Sequence, residues 1–390
     1  MDNTFHTAII GAGASGLFCA GSFNARKIIL DHNTIPGKKV AVSGGGKCNF
    51  SNLYLSSADY LCQQKHFCKN ALASFTPHHF MHLLEDEHIV YQEREKGCLF
   101  AQDAQDIVRF LVRRAKKNQT EFSLSTQVLS VLPQKEGGFI LHTSKGPFYA
   151  RHVVLASGGL SYPALGASPF GIHIARQLGI SFIEQRPALC GLTLPKAEQA
   201  IFRQLAGKSL TATVTTDRKT FTGQLLFTHE GFSGPAILNV SLFWTPSKEV
   251  IINFLPGTDV REILTASKNS ARTFSAVLAE HIPAKISKAI IGPLEQSLAN
   301  APKKDLQAVA NHLNRFSFVP AGTSGYTKAE VTAGGIDTRE IHPTTFEVKN
   351  RPGLYVIGEL LDVTGRLGGF NLHWCWASAY SCASALSRKF

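Results

Sequence analysis

The chain opens with an apolar run that leads directly into closely spaced glycines, and this feature restricts the fold more than any other. Residues 6–17 read His-Thr-Ala-Ile-Ile-Gly-Ala-Gly-Ala-Ser-Gly-Leu, in which G-x-G-x-x-G joins residues typical of a strand to residues compatible with a helix. In such a turn Gly11 permits the bend, Gly13 lets the backbone approach a pyrophosphate, and Gly16 lets helix and strand pack closely. The pattern therefore predicts a dinucleotide-binding unit.

An acidic residue follows where such a unit needs one. Residues 27–30, Lys-Ile-Ile-Leu, are predicted to form a second strand, and Asp31 follows them, 20 residues after Gly11. A carboxylate at this point can bind the ribose hydroxyls of adenosine. A lone G-x-G-x-x-G also fits an ordinary glycine-rich turn, but strand, glycines, helix, strand and acid in this order favour nucleotide binding.

The end of the chain indicates which dinucleotide is bound. The opening motif fits FAD and NAD(P) equally, because both carry the same adenosine diphosphate half. Residues 354–357 are predicted to form a buried strand, followed by Gly358-Glu359, by residues 368–371 and by an apolar, alanine-rich helix. In flavin enzymes with two dinucleotide-binding segments, such a strand serves the ribityl and phosphate region, and a helix N-terminus faces the flavin ring. FAD is therefore favoured over an ordinary terminal strand and helix with a solvated Glu359.

Length and composition indicate a multidomain protein without membrane spans. A chain of 390 residues exceeds what one hydrophobic core usually holds. Hydrophobic residues make up 44%, and no uninterrupted apolar run is long enough to cross a bilayer. The uncharged residues 7–23 fit the nucleotide turn better than an export signal, because no basic segment precedes them. The eight cysteines form no C-x-x-C pair, which favours reduced thiols and a cytoplasmic location.

The net charge of +12 is compatible with binding nucleic acid or anionic substrates. The densest basic run, residues 113–117, falls at the end of a helix predicted to begin near Asp103. Cations there complement the helix dipole, so this run is interpreted as a solvated helix end.

The middle of the nucleotide-binding region contains a second glycine-rich segment, residues 37–49, which is predicted to be a loop around a phosphate or a flavin edge. It is not a Walker A motif, because Ala41 replaces the first glycine and Cys48 follows Lys47. Residues 60–117 are predicted to be helical, and residues 122–156 to form a small β-meander. The last strand of this meander is followed by Gly158-Gly159.

The character of the sequence changes from about residue 189. Segments rich in β-branched and aromatic residues predict a separate β-rich unit, and residues 259–316 predict three or four short helices broken by prolines. Residues 329–336 then return to the nucleotide-binding domain, which is therefore discontinuous. The predicted domains are residues 1–188 and 325–390 for the FAD-binding domain, 189–257 for the β-rich part and 258–324 for the helical part.

Several separated motifs resemble one flavoprotein family. Residues 44–49, 228–236, 331–335, 353–359 and 368–372 occur in the order found in the BaiN-like, or aminoacetone-oxidase-like, FAD-dependent oxidoreductases. The resemblance covers nearly the whole chain. It implies an α/β fold, with a discontinuous Rossmann-like FAD-binding domain and an inserted β-barrel plus helical domain.

The resemblance also implies which residues hold the cofactor. The opening motif and Asp31 correspond to the adenosine diphosphate site, residues 43–49 to the middle of FAD and its ring, Val128 to a backbone contact with adenine, and the C-terminal motif to the ribityl chain and pyrimidine edge. The predicted cofactor-binding residues are Gly11, Ala12, Gly13, Ala14, Ser15, Gly16, Asp31, Lys39, Ser43, Gly44, Gly45, Gly46, Lys47, Cys48, Asn49, Val128, Ser157, Gly158, Gly358, Glu359, Gly369, Phe370, Asn371 and Leu372. The sequence departs from the family pattern at Phe170, where aspartate is usual, and at His373 and Cys375, where glutamine and alanine are usual.

Flavin chemistry requires no catalytic triad or metal, because the flavin itself accepts or donates a hydride. Lys47, Cys48 and His373 are the candidate proton-transfer residues, and each also has a structural interpretation: phosphate or solvent binding, packing, and helix capping. The histidines at 78, 79 and 82 lack ligand partners at zinc spacing and are interpreted as surface residues, so no metal is expected.

The predicted function is a cytoplasmic FAD-dependent oxidoreductase that transfers a hydride through the flavin N5 to or from a small organic molecule. The substrate class is an enone or an amine, and NAD(P)H or oxygen is the electron partner. One alternative is a flavoprotein of tRNA modification, which the basic charge supports. The other alternative is a non-catalytic flavin-binding module.

Overall fold

The computed structural model describes residues 4–217 and 219–389. The chain divides into two compact units, Met1–Pro187 together with Glu330–Phe390, and Ala188–Ala329. The first unit is therefore discontinuous in sequence, and the second is inserted into it.

A seven-stranded sheet forms the centre of the first unit. Five of its strands are parallel, and two antiparallel strands form a meander at one edge. The strand Lys27–Leu30 is buried at every position, as expected for a parallel sheet that is covered on both faces. The parallel strands are Thr120–Ser123, Lys27–Leu30, Thr4–Ile10, Gly146–Leu155 and Leu354–Val356, and the antiparallel ones are Phe139–Thr143 and Val128–Pro133.

The C-terminal helix, Phe370–Ser387, is the main helix of the core. Trp374 and Trp376 are fully buried on it, and their indole N–H groups donate to the carbonyls of Gly358, at 3.1 Å, and Phe50, at 2.9 Å. Each large apolar ring thus has its one polar atom satisfied. The other helices of this unit are Ala14–Ala20, Lys38–Gly46, Lys69–Ser74, Pro77–Asp86, Ala104–Lys117 and Phe170–Gln177.

The predicted all-helical segment 60–117 is wrong in part. It contains the strands Tyr91–Arg94 and Cys98–Ala101, which pair antiparallel with each other. Cys98–Ala101 also pairs with Asn49–Asn52, so these strands form a three-stranded sheet. The pairing of Cys98–Ala101 with Asn49–Asn52 joins residues distant in sequence, which local patterns do not reveal. Two shorter sheets pair Tyr60–Leu61 with Thr364–Gly365 and Phe182–Ala188 with Val331–Ile336.

The helix predicted to begin near Asp103 is confirmed. Asp103 caps Ala104–Lys117 by accepting a hydrogen bond from the Gln105 backbone, and the basic run lies in the last turn. Arg114 is not simply solvated, since its guanidinium lies 5.8 Å from the centroid of Phe18 and donates to the Gly21 carbonyl.

The second unit contains a seven-stranded antiparallel sheet and six short α-helices among its described residues. Phenylalanines 202, 227, 232, 254, 316 and 318 pack together in its core. The strands, in sheet order, are Phe316–Phe318, Val250–Asn253, Ser209–Thr215, Thr220–Phe227, Gly231–Ser233, Leu192–Thr193 and Gly322–Thr323; the helices are Lys196–Arg203, Pro235–Phe243, Val260–Ala266, Phe274–Val277, Ala284–Ile291 and Lys303–Asn314.

The α/β fold class with a discontinuous Rossmann-like domain is confirmed. The finer division of the insert at residues 257 and 258 stays a prediction. Within residues 4–217 and 219–389, no helix is both long and apolar enough to cross a membrane.

Lys27 is fully buried at the start of the second strand, which is unusual for a cation. Its ammonium donates to the carbonyls of Phe23, at 2.7 Å, Ala25, at 3.1 Å, and Asn118, and it lies 4.3 Å from the Phe23 ring centroid. The side chain therefore satisfies three backbone acceptors near the start of the second strand.

We expect Lys27→Met to lower the free energy of unfolding by about 2 kcal/mol or more, because it leaves these carbonyls without a donor. Urea denaturation measures the change, and Lys135→Met, at an exposed position of a hairpin turn, is the matched control. Equal unfolding midpoints for the two variants would contradict this role of Lys27.

Candidate functional site

The glycine turn, residues 11–16, has the close contacts that its motif requires. Gly11 has φ +114°, and a Cβ built on it would lie 2.4 Å from the Ala156 carbonyl oxygen. A Cβ on Gly16 would lie 2.0 Å from the Gly11 oxygen, whereas one on Gly13 would meet nothing within 4 Å. Two glycines are thus needed for packing, and the third faces open space.

Three parallel strands end together at this turn. Ile10 is paired with Leu155, and Leu155 with Val356, so Gly11, Ser157 and Gly358 follow the same edge of the sheet. This carboxyl edge is where open α/β sheets bind their ligands. The strands come from distant parts of the sequence, and the fold alone brings them together.

Asp31 is tied to the glycine turn. Its Oδ2 accepts from the Ala12 backbone N–H at 2.6 Å, and its Oδ1 accepts from the Asn33 N–H at 2.7 Å. The side chain is 11% exposed. Since each carboxylate oxygen has two acceptor sites, Asp31 can hold the turn and still accept a hydroxyl.

The glycine loop, residues 37–49, differs from the prediction in its first half. Lys38–Gly46 is assigned as one helix, but Ser43, Gly44 and Gly45 leave helical geometry, so only the part before Ser43 is a regular helix. Its three consecutive glycines have positive φ, and a Cβ on Gly45 or Gly46 would meet nothing within 4 Å. The loop therefore presents bare backbone to open space.

Lys39 and Glu359 form an ion pair across 320 positions of sequence. The Lys39 ammonium lies 2.9 and 3.1 Å from the two carboxylate oxygens of Glu359. Oε1 of Glu359 also accepts from the Thr332 backbone N–H at 2.9 Å. The pair thus joins the glycine loop to the segment after the strand Leu354–Val356 and, through Thr332, to the strand Val331–Ile336.

The predicted C-terminal site residues lie against the strand Asn49–Asn52. Gly369 has φ +92°, and a Cβ on it would lie 2.2 Å from the Ser51 carbonyl oxygen. The Asn371 amide exchanges two hydrogen bonds with the Gly365 backbone, at 2.8 and 2.9 Å. Phe370 is buried, and Leu372 is half-buried at the start of the terminal helix.

The three candidate proton-transfer residues lie in different environments. Lys47 is exposed on the glycine loop. Cys48 is fully buried, and burial raises the pKa of its thiol to about 12. His373 is also fully buried, with Nδ1 2.8 Å from the Ser51 hydroxyl and Nε2 2.9 Å from the Phe75 carbonyl oxygen.

The hydrogen bonds of His373 indicate a structural role for this residue. A carbonyl only accepts, so Nε2 carries the proton and Nδ1 accepts from Ser51. Burial lowers the pKa of His373 to about 4. Both nitrogens are bonded to buried groups, which favours a packing role for His373 and leaves Cys48 and His373 poorly placed to exchange protons with a substrate.

Val128 and Phe170 line one cavity of about 360 Å³ at the edge of the central sheet. Val128 was assigned to the adenine contact, and Phe170 marked a departure from the family pattern. The other lining residues are Gln127, Leu129, Ser168, Pro169, His173, Ile174 and Gln177.

Thr332 is a site residue that the sequence did not indicate. Its hydroxyl accepts from the Leu160 N–H at 2.8 Å and the Ser161 N–H at 3.1 Å. Through its backbone bond to Glu359 it joins the loop after the Gly146–Leu155 strand to the Lys39–Glu359 pair. A single threonine within a predicted strand carries no local signal of this role.

The residues present fit a bound dinucleotide. The open space at Gly13, Gly45 and Gly46 lies where a Cβ would block backbone approach, and the cations Lys39 and Lys47 lie on the same loop. Backbone N–H groups at a helix start and nearby cations are the groups that bind a pyrophosphate.

Comparison with known proteins identifies the family. Residues 5–385 match the family described as HI0933-like protein Rossmann domain. The chain belongs to this family. It is an FAD-dependent oxidoreductase, so the predicted cofactor and enzyme class are confirmed, whereas the BaiN-like subfamily stays a prediction.

Curated relatives cover the chain almost completely. A ribosomal RNA dihydrouridine synthase of Escherichia coli (strain K12) is 42% identical, over 98% of both chains. A protein of the same name from Haemophilus influenzae is 39% identical over the whole of both chains. A 3-dehydro-bile acid delta(4,6)-reductase of Clostridium scindens is 27% identical over 98% of both chains.

Solved structures with a similar fold include the 3-ketosteroid-delta4-(5alpha)-dehydrogenase from Rhodococcus jostii RHA1. It is 13% identical, with a TM-score of 0.49, and the match covers 98% of this chain and 96% of that chain.

We expect Gly13→Val and Gly16→Val to lose bound FAD for different reasons. Gly13 has φ −87° and ψ −166° and open space around it, so valine fits the backbone but blocks the approach of a pyrophosphate. Valine at position 16 would clash with the Gly11 carbonyl. Gly13→Val should therefore lose bound FAD and keep its fold, while Gly16→Val should lose both. Flavin absorbance per chain and thermal unfolding of the two proteins check this, and wild-type FAD content in Gly13→Val would refute the assigned pose.

We expect His373→Gln to reduce the loss of unfolding free energy that wild type shows as the pH falls. The folded pKa of about 4 lies below the usual 6.5, so the stability that His373 contributes is complete above pH 6.5 and is lost as the pH falls toward 4. Between about pH 7 and pH 5 this loss amounts to about 2 kcal/mol. Glutamine keeps a donor for the Phe75 carbonyl and does not titrate.

The measurement is urea unfolding of both proteins at the two pH values. His152, whose pKa burial also lowers to about 4, contributes equally to wild type and variant, so the difference isolates His373. An equal loss of stability in the two proteins would show that His373 is not the titrating group.

Proposed function

We propose that this chain is an FAD-dependent ribosomal RNA dihydrouridine synthase, which reduces the C5–C6 double bond of a uracil base. The observation that carries the proposal is the 42% identity to the Escherichia coli enzyme over 98% of both chains. The Haemophilus influenzae relative supports it over the full length. This proposal replaces the small-molecule function expected from the sequence and agrees better with the alternative of an RNA-modifying flavoprotein, with ribosomal RNA in place of tRNA.

The reaction suits a flavin site. The C5–C6 double bond of uracil is conjugated to the C4 carbonyl, so C6 accepts a hydride and C5 then accepts a proton. Bound, reduced FAD supplies the hydride. The proposed net reaction consumes NAD(P)H, one proton and uridine, and forms NAD(P)⁺ and dihydrouridine, with the nicotinamide nucleotide binding transiently.

The chain's own residues bind and orient the reactants. The glycine turn and Asp31 hold the adenosine diphosphate half, and the Lys39–Glu359 pair fixes the glycine loop against the last strand of the sheet. Residues 368–372 are held against Asn49–Asn52 and position the far end of the cofactor. Lys47 is the exposed cation of the glycine loop and is available to a phosphate.

The inserted unit has the charge expected of an RNA-binding protein. Residues 188–329 contain 15 Lys and Arg against nine Asp and Glu. Every Lys and Arg that the structure describes there is exposed, and no ion pair joins one of them to a described Asp or Glu of the unit. Cations without carboxylate partners remain available to neutralise phosphates. We propose a cytoplasmic location, since ribosomal RNA is present there.

The Clostridium scindens relative supports a second candidate, reduction of a small unsaturated ketone. At 27% identity this relative is more distant than the two named for ribosomal RNA. The same test separates the two functions.

Purified protein with FAD bound is incubated anaerobically with NADPH or NADH and unmodified ribosomal RNA transcript. We expect nucleoside mass spectrometry to detect dihydrouridine, with none formed from a tRNA transcript and none when the reductant is omitted. Reduction of a 3-oxo-steroid enone without any dihydrouridine in ribosomal RNA would overturn the proposal in favour of the second candidate. Catalytic turnover in either assay would also exclude the non-catalytic module.

A further inference from the structure

One face of the three-stranded sheet borders the cofactor site. On this face the Cys98 thiol lies 3.8 Å from the Gly368 carbonyl oxygen, and the Phe100 ring lies 3.2 Å from the position of a Cβ on Gly44. Gly44 belongs to the glycine loop, and Gly368 precedes the segment assigned to the pyrimidine edge of the flavin. Side chains farther out on this face are therefore at the border of the proposed active site.

Arg94 is the cation of this face. Its guanidinium lies 4.5 Å from the centroid of the Phe100 ring, and the amide oxygen of Gln92, in its preferred orientation, accepts from it at 2.6 and 3.0 Å. The ring and a neutral amide hold the group, and no described carboxylate pairs with it. Its positive charge is thus positioned but not neutralised.

Tyr54 is the most exposed large apolar or aromatic side chain among the described residues, at 69%. Its ring lies against the turn at Gly97, where a Cβ would lie 2.7 Å from ring atom Cδ2. No other aromatic ring or cation stacks on it within the described part of the chain. The exposed ring of Tyr54 is therefore free to stack on a base.

Asn52 fixes this tyrosine relative to the cofactor site. The buried Asn52 amide donates to the carbonyls of Gly368, at 2.9 Å, and Lys96, at 3.1 Å, while its oxygen accepts from the Tyr54 N–H at 3.0 Å. One side chain thus joins the flavin-edge segment, the turn at Gly97 and the loop that carries Tyr54. Tyr54 has a defined position relative to Gly368.

Two cations next to the turn at Gly97 have no partner of opposite charge. Arg94 and Lys96 are exposed and pair with no carboxylate among the described residues, and the same stretch also carries two exposed acids, Glu93 and Glu95. Arg366, close by in sequence to Gly368, pairs with Asp59 at 2.7 Å. We name the set of Tyr54, Arg94 and Lys96 the basic rim.

We propose that the basic rim binds single-stranded RNA beside the target uridine, with a neighbouring base stacked on Tyr54 and phosphates contacted by Arg94 and Lys96. This inference rests on the proposed function and specifies how that site receives its substrate. Sequence-tolerant binding of single strands combines such an aromatic platform with cations along the backbone. Holding the flanking nucleotide presents the target base to the flavin edge.

The test compares Tyr54→Ala, Tyr54→Phe and the remote surface control Tyr149→Ala, which alters a half-exposed tyrosine on the central sheet. Binding of a fluorescent oligouridylate to the holoprotein is measured at several salt concentrations. We expect Tyr54→Ala to weaken binding about 10-fold or more, and the other two to bind like wild type. Arg94→Gln and Lys96→Gln should each reduce the slope of log affinity against log salt by about 1. FAD content and thermal unfolding confirm that each variant is folded.

The same proteins are then assayed for dihydrouridine in ribosomal RNA. If wild type forms dihydrouridine and Tyr54→Ala binds and reacts like wild type, the basic rim is refuted and the proposed function stands. If wild type forms no dihydrouridine but its oligouridylate binding depends on Tyr54, the rim stands and the proposed function fails. Absence of oligouridylate binding by the wild type at low salt also refutes the rim.

Discussion

The structure of the first unit depends on the close approach of three strand ends to one helix start. Ile10, Leu155 and Val356 are neighbours in the sheet, and the residues after them must fit around the glycine turn. Gly11 approaches Ala156, Gly16 approaches Gly11, and Gly358 approaches Ser15, each so closely that a Cβ would lie within 2.5 Å of its neighbour. Bare backbone at these positions permits the packing, and the Gly11 and Gly358 N–H groups donate to Leu30 and Ser378.

The polar groups of the site form hydrogen bonds between segments that are far apart in sequence. Asp31 bonds to the glycine turn, Lys39 to Glu359, Thr332 to residues 160 and 161, and Asn52 to Gly368. Partly buried hydrogen bonds of this kind position the surrounding loops because an unmade partner is costly. The cofactor site is therefore built by cross-connections between loops, and its outer border carries the exposed groups of the basic rim.

The sequence predicted the elements whose signals are local. The glycine turn, the strands around it, the capped helix after Asp103, the β-meander and the return at Val331–Ile336 are all found. The strands Tyr91–Arg94 and Cys98–Ala101 were missed, because each is only four residues long and the pairing of the second with Asn49–Asn52 joins residues distant in sequence. His373 illustrates the same limit within the site: its position at a helix start suggested proton transfer, but its partners, Ser51 and Phe75, lie about 300 positions away.

The sequence by itself determined the dinucleotide-binding fold and the cofactor class, because glycine spacing and strand patterns act within a few residues of each other. Tertiary structure decided which polar groups are satisfied internally and which remain exposed. Glu359 and Lys39 neutralise each other, whereas Arg94 and Lys47 form no ion pair with a carboxylate of the described residues. Such differences depend on distances between groups that the chain brings together only when it folds, and they decide where an anionic substrate can bind.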